Sequence, residues 1–264
     1  MPDRTVSIHD LKAWKGEQRR WVMLTAYDFP TAHILDRAGV PVLLVGDSLG
    51  RNALGYENEL PVTMEDMLHH VRAVSRGAER AMVVGDMPFM SYQASISDGV
   101  RNAGRLVKEG GAHAVKLEGA QVDLVQRLTE IGIPAMAHVG LTPQAVYGLG
   151  GYRVQGRGEA AQKVLDQAVQ LEKAGAFSIV LEAMPAELGA EITQAVQVPT
   201  IGIGAGSGTD AQVLVINDLL GLTEHPPKLA KAYADLQGTI TDAVTAFVSD
   251  VEAGAFPDED HSYS

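Results

Sequence analysis

AMVVGDMPFMSYQASISDGVRNAGRLVKEGGAHAVKLEG, residues 81–119, is the stretch on which the fold turns. It opens with an apolar β-branched run, passes through a segment at 97–109 that Gly110 and Gly111 close, and enters a second run, HAVKLEG. Glycine just past an amphipathic segment is a helix stop, so the order is strand, helix, strand. Both strands are apolar on successive residues, as strands covered on both faces are. Such strands lie parallel, joined by the helix.

The same unit repeats in both directions. Candidate strands begin at Trp21 (WVMLTAYD), Val42 (VLLVGDS), Ala81 (AMVVGDM), His113 (HAVKLEG), Ile133 (IPAMAHVG), Ser178 (SIVLEAM), Pro199 (PTIGIGAG) and Gln212 (QVLVIND). Eight β-branched runs with amphipathic segments between them predict an α/β chain closed as a (β/α)8 barrel. Thr63 and Asp66 form a capping pair ahead of a helix closed by Gly77, and Gly175 closes another over 159–173. Only about five residues separate the last two strands, short of the ten or so that a helical crossover needs, so that connection lacks a full helix or the eighth strand lies elsewhere. A Pro-containing EHPPK (224–228) then leads to an expected final helix over 229–251 and a polar tail. With no linker visible, one barrel domain over 1–264 is expected, with an N-terminal extension and a C-terminal helix and tail.

The 264 residues are 46% hydrophobic and 20% charged, with 33 acidic side chains against 21 basic ones and a net charge of −12. That charge disfavours nucleic acid and acidic membrane surfaces, and an anionic substrate needs a local cation. There is no cysteine, which excludes disulfides, thiolate metal sites and a cysteine nucleophile. No apolar leader or bilayer-length run is present, so a cytoplasmic protein is the expectation.

Polar residues collect at the carboxyl ends of the predicted strands, where barrel enzymes build their sites. Asp47 and Asp86 each follow a Val-Gly on neighbouring strands. They can converge on a hard cation such as Mg²⁺ or, alternatively, cap the next helices. Lys116 and Glu118 share one strand face, which should be the barrel interior. Glu118 could support the metal and Lys116 a substrate anion, or the two form a structural ion pair. His138 is a hydrogen-bonded core residue or a substrate-facing group. Glu182 is a candidate base or a salt-bridged strand-end acid. GIGAGSG (202–208) lacks the dinucleotide-binding spacing and reads as a tight turn. The glycine-rich segment at 147–158 reads as a lid or a solvated loop.

These residues lie in ordered motifs, TAYD (25–28), VGDSLG (45–50), LPVT (60–63), GDMPFMSY (85–92), VKLEG (115–119), HVGLTPQ (138–144), GGYRVQGRG (150–158), LEAMP (181–185), IGIGAG (201–206) and EDHS (259–262). Along almost its whole length the chain resembles the ketopantoate hydroxymethyltransferase family. One departure is EHPPK, where that family often has a GHIPKF-like stretch.

The resemblance implies a barrel of the phosphoenolpyruvate/isocitrate lyase superfamily. It also implies hydroxymethyl transfer from 5,10-methylenetetrahydrofolate to 3-methyl-2-oxobutanoate in pantothenate biosynthesis, and a homodecamer. It places Asp47, Asp86 and Glu118 at the Mg²⁺ site, and Asp47, Ser48, Asp86 and Lys116 around the oxoacid. Glu182 falls on the proton acceptor. The rival readings are a Mg²⁺-dependent C–C or C–P lyase of the same superfamily and a non-catalytic barrel that binds small acids.

Overall fold

In a computed structural model, residues 4–263 are described. The chain packs as two compact units, one running to Val215 and the other from Ile216 onward.

The first unit is built on eight short strands: β1 (Trp21–Thr25), β2 (Val42–Val45), β3 (Met82–Asp86), β4 (Ala114–Glu118), β5 (Ala135–Gly140), β6 (Ser178–Glu182), β7 (Thr200–Ile203) and β8 (Ala211–Leu214). They pair in parallel, in chain order, and β8 returns to β1, closing the barrel. Seven fall within runs expected from the sequence, and the eighth starts one residue before its expected run, at Ala211 instead of Gln212.

Alternation along each strand separates two sets of side chains. Trp21, Met23, Val42, Leu44, Met82, Val84, Ala114, Met136, Val180, Ile201, Ala211 and Val213 form one buried cluster. Leu11 and Trp14 of the helix Ile8–Gly16 join it, Trp14 standing 6.3 Å from the Trp21 ring. The strand residues in between, among them Leu43, Val83, Val115, Ala137, Ile179 and Leu181, are also fully buried. Burial on both faces explains why these strands read as continuous apolar runs.

Helices fill the connections where the chain is long enough. Met64–Gly77 starts with the expected reciprocal cap between Thr63 and Asp66, and its Leu68, Val71 and Val74 are buried. Ile96–Arg105 widens into a π-type turn, Leu106–Gly110, before Gly111 ends it in the left-handed conformation (φ 81°). Between β7 and β8 there is no helix, only a turn in which Gly204 and Gly206 have positive φ. That settles the short connection: the strand was correctly placed and its crossover helix is missing.

In the second unit the short helix Ile216–Leu220 precedes a long one, Leu236–Glu252. The long helix begins seven residues later than the expected 229. Asp235 caps it through Gly238 N–H, and the Tyr233 N–H is committed instead to the Leu219 carbonyl.

At the other end of the chain, Ser7 and Asp10 cap the helix Ile8–Gly16 reciprocally, and both terminal nitrogens of the Arg4 guanidinium reach Asp10 at 2.8 Å. Arg4 and Ser7 hold the Asp10 carboxyl well below its ordinary 3.8. A depressed folded-state value gives stability that is present above the unfolded value and lost as pH falls through the folded one. Asp10→Asn should therefore cost about 1 kcal/mol at neutral pH. In urea unfolding, the gap from wild type should hold at mild acidity and narrow once pH drops below 3.8.

Candidate active site

The inner series of side chains does not end with the apolar cluster. Continuing by twos, Met82 and Val84 lead to Asp86, Ala114 leads to Lys116 and Glu118, Met136 leads to His138, and Val180 leads to Glu182. The polar group is thus the topmost layer of the barrel interior, at the carboxyl ends of the strands. Register then chooses neighbours: Asp86 pairs with Lys116, Glu118 with His138, and Gly140 with Glu182.

Asp47 and Ser48 lie just past β2, in the turn into the short helix Leu49–Asn52. Asp47 does not cap that helix, since the cap position is Ser48 and makes no side-chain cap bond. Nor does Asp86 cap one, because the next helix is capped by Ser95. Instead the Asp47 peptide N–H donates to Asp86 Oδ2 at 3.1 Å, and Ser48 Oγ meets the Tyr27 hydroxyl at 3.0 Å. Gly46 permits this approach, because a Cβ there would stand 2.8 Å from Ser48 Oγ.

Lys116 Nζ lies 2.6 Å from Asp86 Oδ1 and 3.9 Å from Glu118 Oε1. His138 stands between two acids, with Nδ1 3.5 Å from Glu118 Oε1 and Nε2 3.3 Å from Glu182 Oε2. Asp47, Asp86, Lys116, Glu118 and His138 are all buried, and Glu182 is partly exposed.

Burial decides the electrostatics. It pushes Asp47 well above the usual carboxylate range, and repulsion from Asp86 and Glu118 adds to it. Burial raises Asp86 too, against the pull of Lys116. Glu118 goes the other way: burial opposes its charge, but His138 and Lys116 outweigh that and lower its pKa. Burial also works against the charge of Lys116, yet Asp86, Glu118 and Asp47 hold its pKa above normal. For His138, burial and Lys116 oppose protonation, but Glu118 and Glu182 prevail and raise it to about 9. At neutral pH the layer therefore carries an ammonium and an imidazolium among its acids.

Carboxylate oxygens on adjacent strands are the hard donors that Mg²⁺ takes, usually one or two at a time. The donor chemistry fits such an ion. Lys116 is in contact with one Asp86 oxygen, and among the described residues no group of three or more His, Cys, Asp or Glu is gathered around a metal position.

Sequence reading did not single out Gln144 or Tyr92, although both lie within quoted motifs, HVGLTPQ and GDMPFMSY. Gln144 Nε2 donates to Asp47 Oδ2 at 2.8 Å, and the Tyr92 hydroxyl donates to Gln144 Oε1 at 2.7 Å. Also missed was Glu59, a buried acid that accepts from the Tyr152 hydroxyl at 2.7 Å. The 147–158 loop is tied a second time where Gln155 N–H donates to the Ala183 carbonyl at 2.8 Å.

A closed parallel barrel with a charged layer at the carboxyl ends of its strands defines a (β/α)8 barrel of the enzyme-bearing kind. The same fold is found in solved structures, among them a member of the PEP mutase/isocitrate lyase superfamily. A phosphonopyruvate hydrolase aligns with a TM-score of 0.64 at 12% identity, covering 98% of this chain and 92% of that one. A 2,3-dimethylmalate lyase of that superfamily aligns with a TM-score of 0.62 at 14% identity, covering 97% and 91%. Identities this low speak to the fold alone.

Sequence narrows it much further. The profile of the ketopantoate hydroxymethyltransferase family matches residues 5–259. A 3-methyl-2-oxobutanoate hydroxymethyltransferase of Syntrophus aciditrophicus is 54% identical, covering 98% of this chain and 97% of its own length. The enzyme of the same name from Thermobifida fusca is 55% identical, covering 99% and 95%. The chain belongs to the ketopantoate hydroxymethyltransferase family, and it is a transferase of one-carbon units.

Lys116 is the cation on which the buried acids depend, so Lys116→Met should destabilise the metal-free protein by about 3–5 kcal/mol, the cost of stripping a buried charge of its partner. Denaturant unfolding in the presence of a chelator measures this. An unchanged midpoint would mean that the acids are neutralised some other way.

Proposed function

We propose that this chain transfers the one-carbon unit of 5,10-methylenetetrahydrofolate to C3 of 3-methyl-2-oxobutanoate, with water supplying the new hydroxyl, to give 2-dehydropantoate and tetrahydrofolate. The observation that carries this reading is the meeting of Asp47, Asp86, Lys116, Glu118 and Glu182 in one polar layer, on a chain whose family membership names the transfer. In this reading Asp47 and Asp86 hold Mg²⁺, with Glu118 completing the acid set. The ion's contribution when bound is to polarise the keto oxygen of the oxoacid and so acidify C3–H.

The remaining work falls to the protein. Lys116, kept cationic by its three acidic neighbours, faces the negative charge of the oxoacid and the charge that grows on its keto oxygen. Ser48 contributes a hydroxyl beside Asp47, and His138 a protonated ring near the oxoacid. Glu182, less buried than the acids behind it, takes the C3 proton. Its partner His138 fixes the orientation of the carboxylate, at 3.3 Å. The carbanion equivalent left at C3 attacks the one-carbon carbon and forms the C–C bond; water then displaces the remaining folate nitrogen from that carbon and leaves its hydroxyl there, while the C3 proton and one water proton end on the two nitrogens of the departing tetrahydrofolate.

The nucleophile at C3 survives only where bulk water is kept away until the C–C bond has formed. The 147–158 loop is the cover, held by Tyr152 on Glu59 and by Gln155 on the residue after Glu182. By the same family likeness the working form is a cytoplasmic homodecamer. No described helix is long and apolar enough to cross a membrane.

Proton removal can be observed without the folate. With Mg²⁺ and 3-methyl-2-oxobutanoate alone, the enzyme should exchange the C3 hydrogen for solvent deuterium, seen as loss of the C3 proton signal by NMR. Glu182→Gln keeps the shape of the residue but cannot accept the proton, and should exchange about a hundredfold more slowly or worse. Undiminished exchange in a folded variant would move the base elsewhere.

A further inference from the structure

Gln144 is the middle residue of the turn Pro143–Ala145 that follows β5, and it is buried. Every polar atom it can offer to the site is committed. Its peptide N–H donates to Glu118 Oε2 at 2.9 Å. Its side-chain nitrogen uses both hydrogens, one on Asp47 Oδ2 at 2.8 Å and one on the Met87 carbonyl at 2.9 Å. Its side-chain oxygen receives the Tyr92 hydroxyl at 2.7 Å and Gln93 Nε2 at 3.0 Å.

That pattern leaves only one orientation for the amide. Flipped, its oxygen would face two acceptors, Asp47 and the Met87 carbonyl, and its nitrogen would face the amide nitrogen of Gln93. Tyr92 is locked in turn, because its oxygen accepts the Glu118 peptide N–H at 3.0 Å while its single hydrogen goes to Gln144. One neutral residue thus reaches two acids from different parts of the barrel mouth, Asp47 in the turn after β2 and Glu118 at the end of β4.

We infer that Gln144 is a positioning residue for the divalent-cation site, holding one oxygen of Asp47 and one of Glu118 and so fixing where both carboxylates sit, with Tyr92 fixing the direction of its amide. The inference rests on the proposed reading of Asp47 and Glu118 as the acids of the cation site. Neutrality is what makes the residue suitable. Buried carboxylates this close repel one another, and donors to Asp47 and Glu118 relieve that repulsion. A second ammonium would relieve it too, but would compete with the cation for the same oxygens. An amide supplies the dipole and leaves the charge unclaimed. Groups that orient metal-binding side chains typically change metal affinity by about 10- to 100-fold when removed.

The test is Mg²⁺ titration by calorimetry, with Mn²⁺ binding followed by electron paramagnetic resonance, on the full-length wild type and on Gln144→Met, Tyr92→Phe, their double variant and Asp47→Asn. Urea unfolding of each metal-free protein reports the fold. Gln144→Met should weaken Mg²⁺ at least about tenfold. Tyr92→Phe, which loses the bond to Gln144 and also the acceptor of the Glu118 peptide N–H, should weaken it about threefold to tenfold, and should cost less when Gln144 is already Met.

A purely structural role would lower the unfolding midpoint and leave Mg²⁺ affinity unchanged. That result in Gln144→Met, alongside weak binding by Asp47→Asn, overturns the inference. If Gln144→Met does not fold, Tyr92→Phe decides alone, and wild-type affinity in it has the same force. Wild-type affinity in Asp47→Asn would instead overturn the cation site on which the inference stands.

Discussion

An ammonium enclosed with three carboxylates in the interior of a barrel is the constraint to which the rest of the structure answers. Removing charges from water costs several kcal/mol for each ion unless partners are close and well aimed. Here the partners are supplied by strand register, since Asp86 and Lys116 are paired positions on β3 and β4, as are Glu118 and His138 on β4 and β5. A slip of one residue in either pairing would turn an acid or a base toward the helices. The apolar layers of the barrel hold that register, with Met82, Val84, Ala114 and Met136 packed directly beneath. Core and site are successive levels of the same strands.

Much of this was readable beforehand. Strands covered on both faces leave unbroken apolar runs, so all eight could be found, and the short seventh connection pointed to either a missing helix or a misplaced strand. Charged residues at the ends of such runs stand out for the same reason. The partner of Lys116 was less visible. Residues two apart on one strand share a face, which suggested Glu118, yet the closer contact is Asp86 at 2.6 Å against 3.9 Å. Neighbouring strands lie about 4.8 Å apart, less than two residues' rise along one strand. Gln144 and Tyr92 were hidden because a neutral amide in a turn and an aromatic in a loop have many uses, and only the closed barrel brings them to Asp47 and Glu118.

The final helix shows the opposite failure. LAKAYAD, 229–235, is made of residues that favour helix, but Ala230 N–H turns back to Pro227 and Tyr233 N–H to Leu219. Gly221 passes so close to the Ala234 carbonyl that no Cβ would fit there. Local propensity is a weak preference, and a few contacts of this kind override it. The helix therefore waits for Asp235, the first side chain in position to cap it.

Gly140, paired with Glu182 at the top of β5, has φ 96°, and a Cβ on it would strike the Glu182 carbonyl. Leu141 N–H donates to that same carbonyl at 2.9 Å, so the backbone of the proposed base is gripped at a point where no side chain fits. For anyone redesigning the enzyme to accept bulkier oxoacids, this marks a position to leave alone. Libraries should leave Asp47, Ser48, Tyr92 and Gln144 unchanged and keep residue 140 as glycine, because variants at 140 would lose the geometry of the base before substrate scope could be assayed.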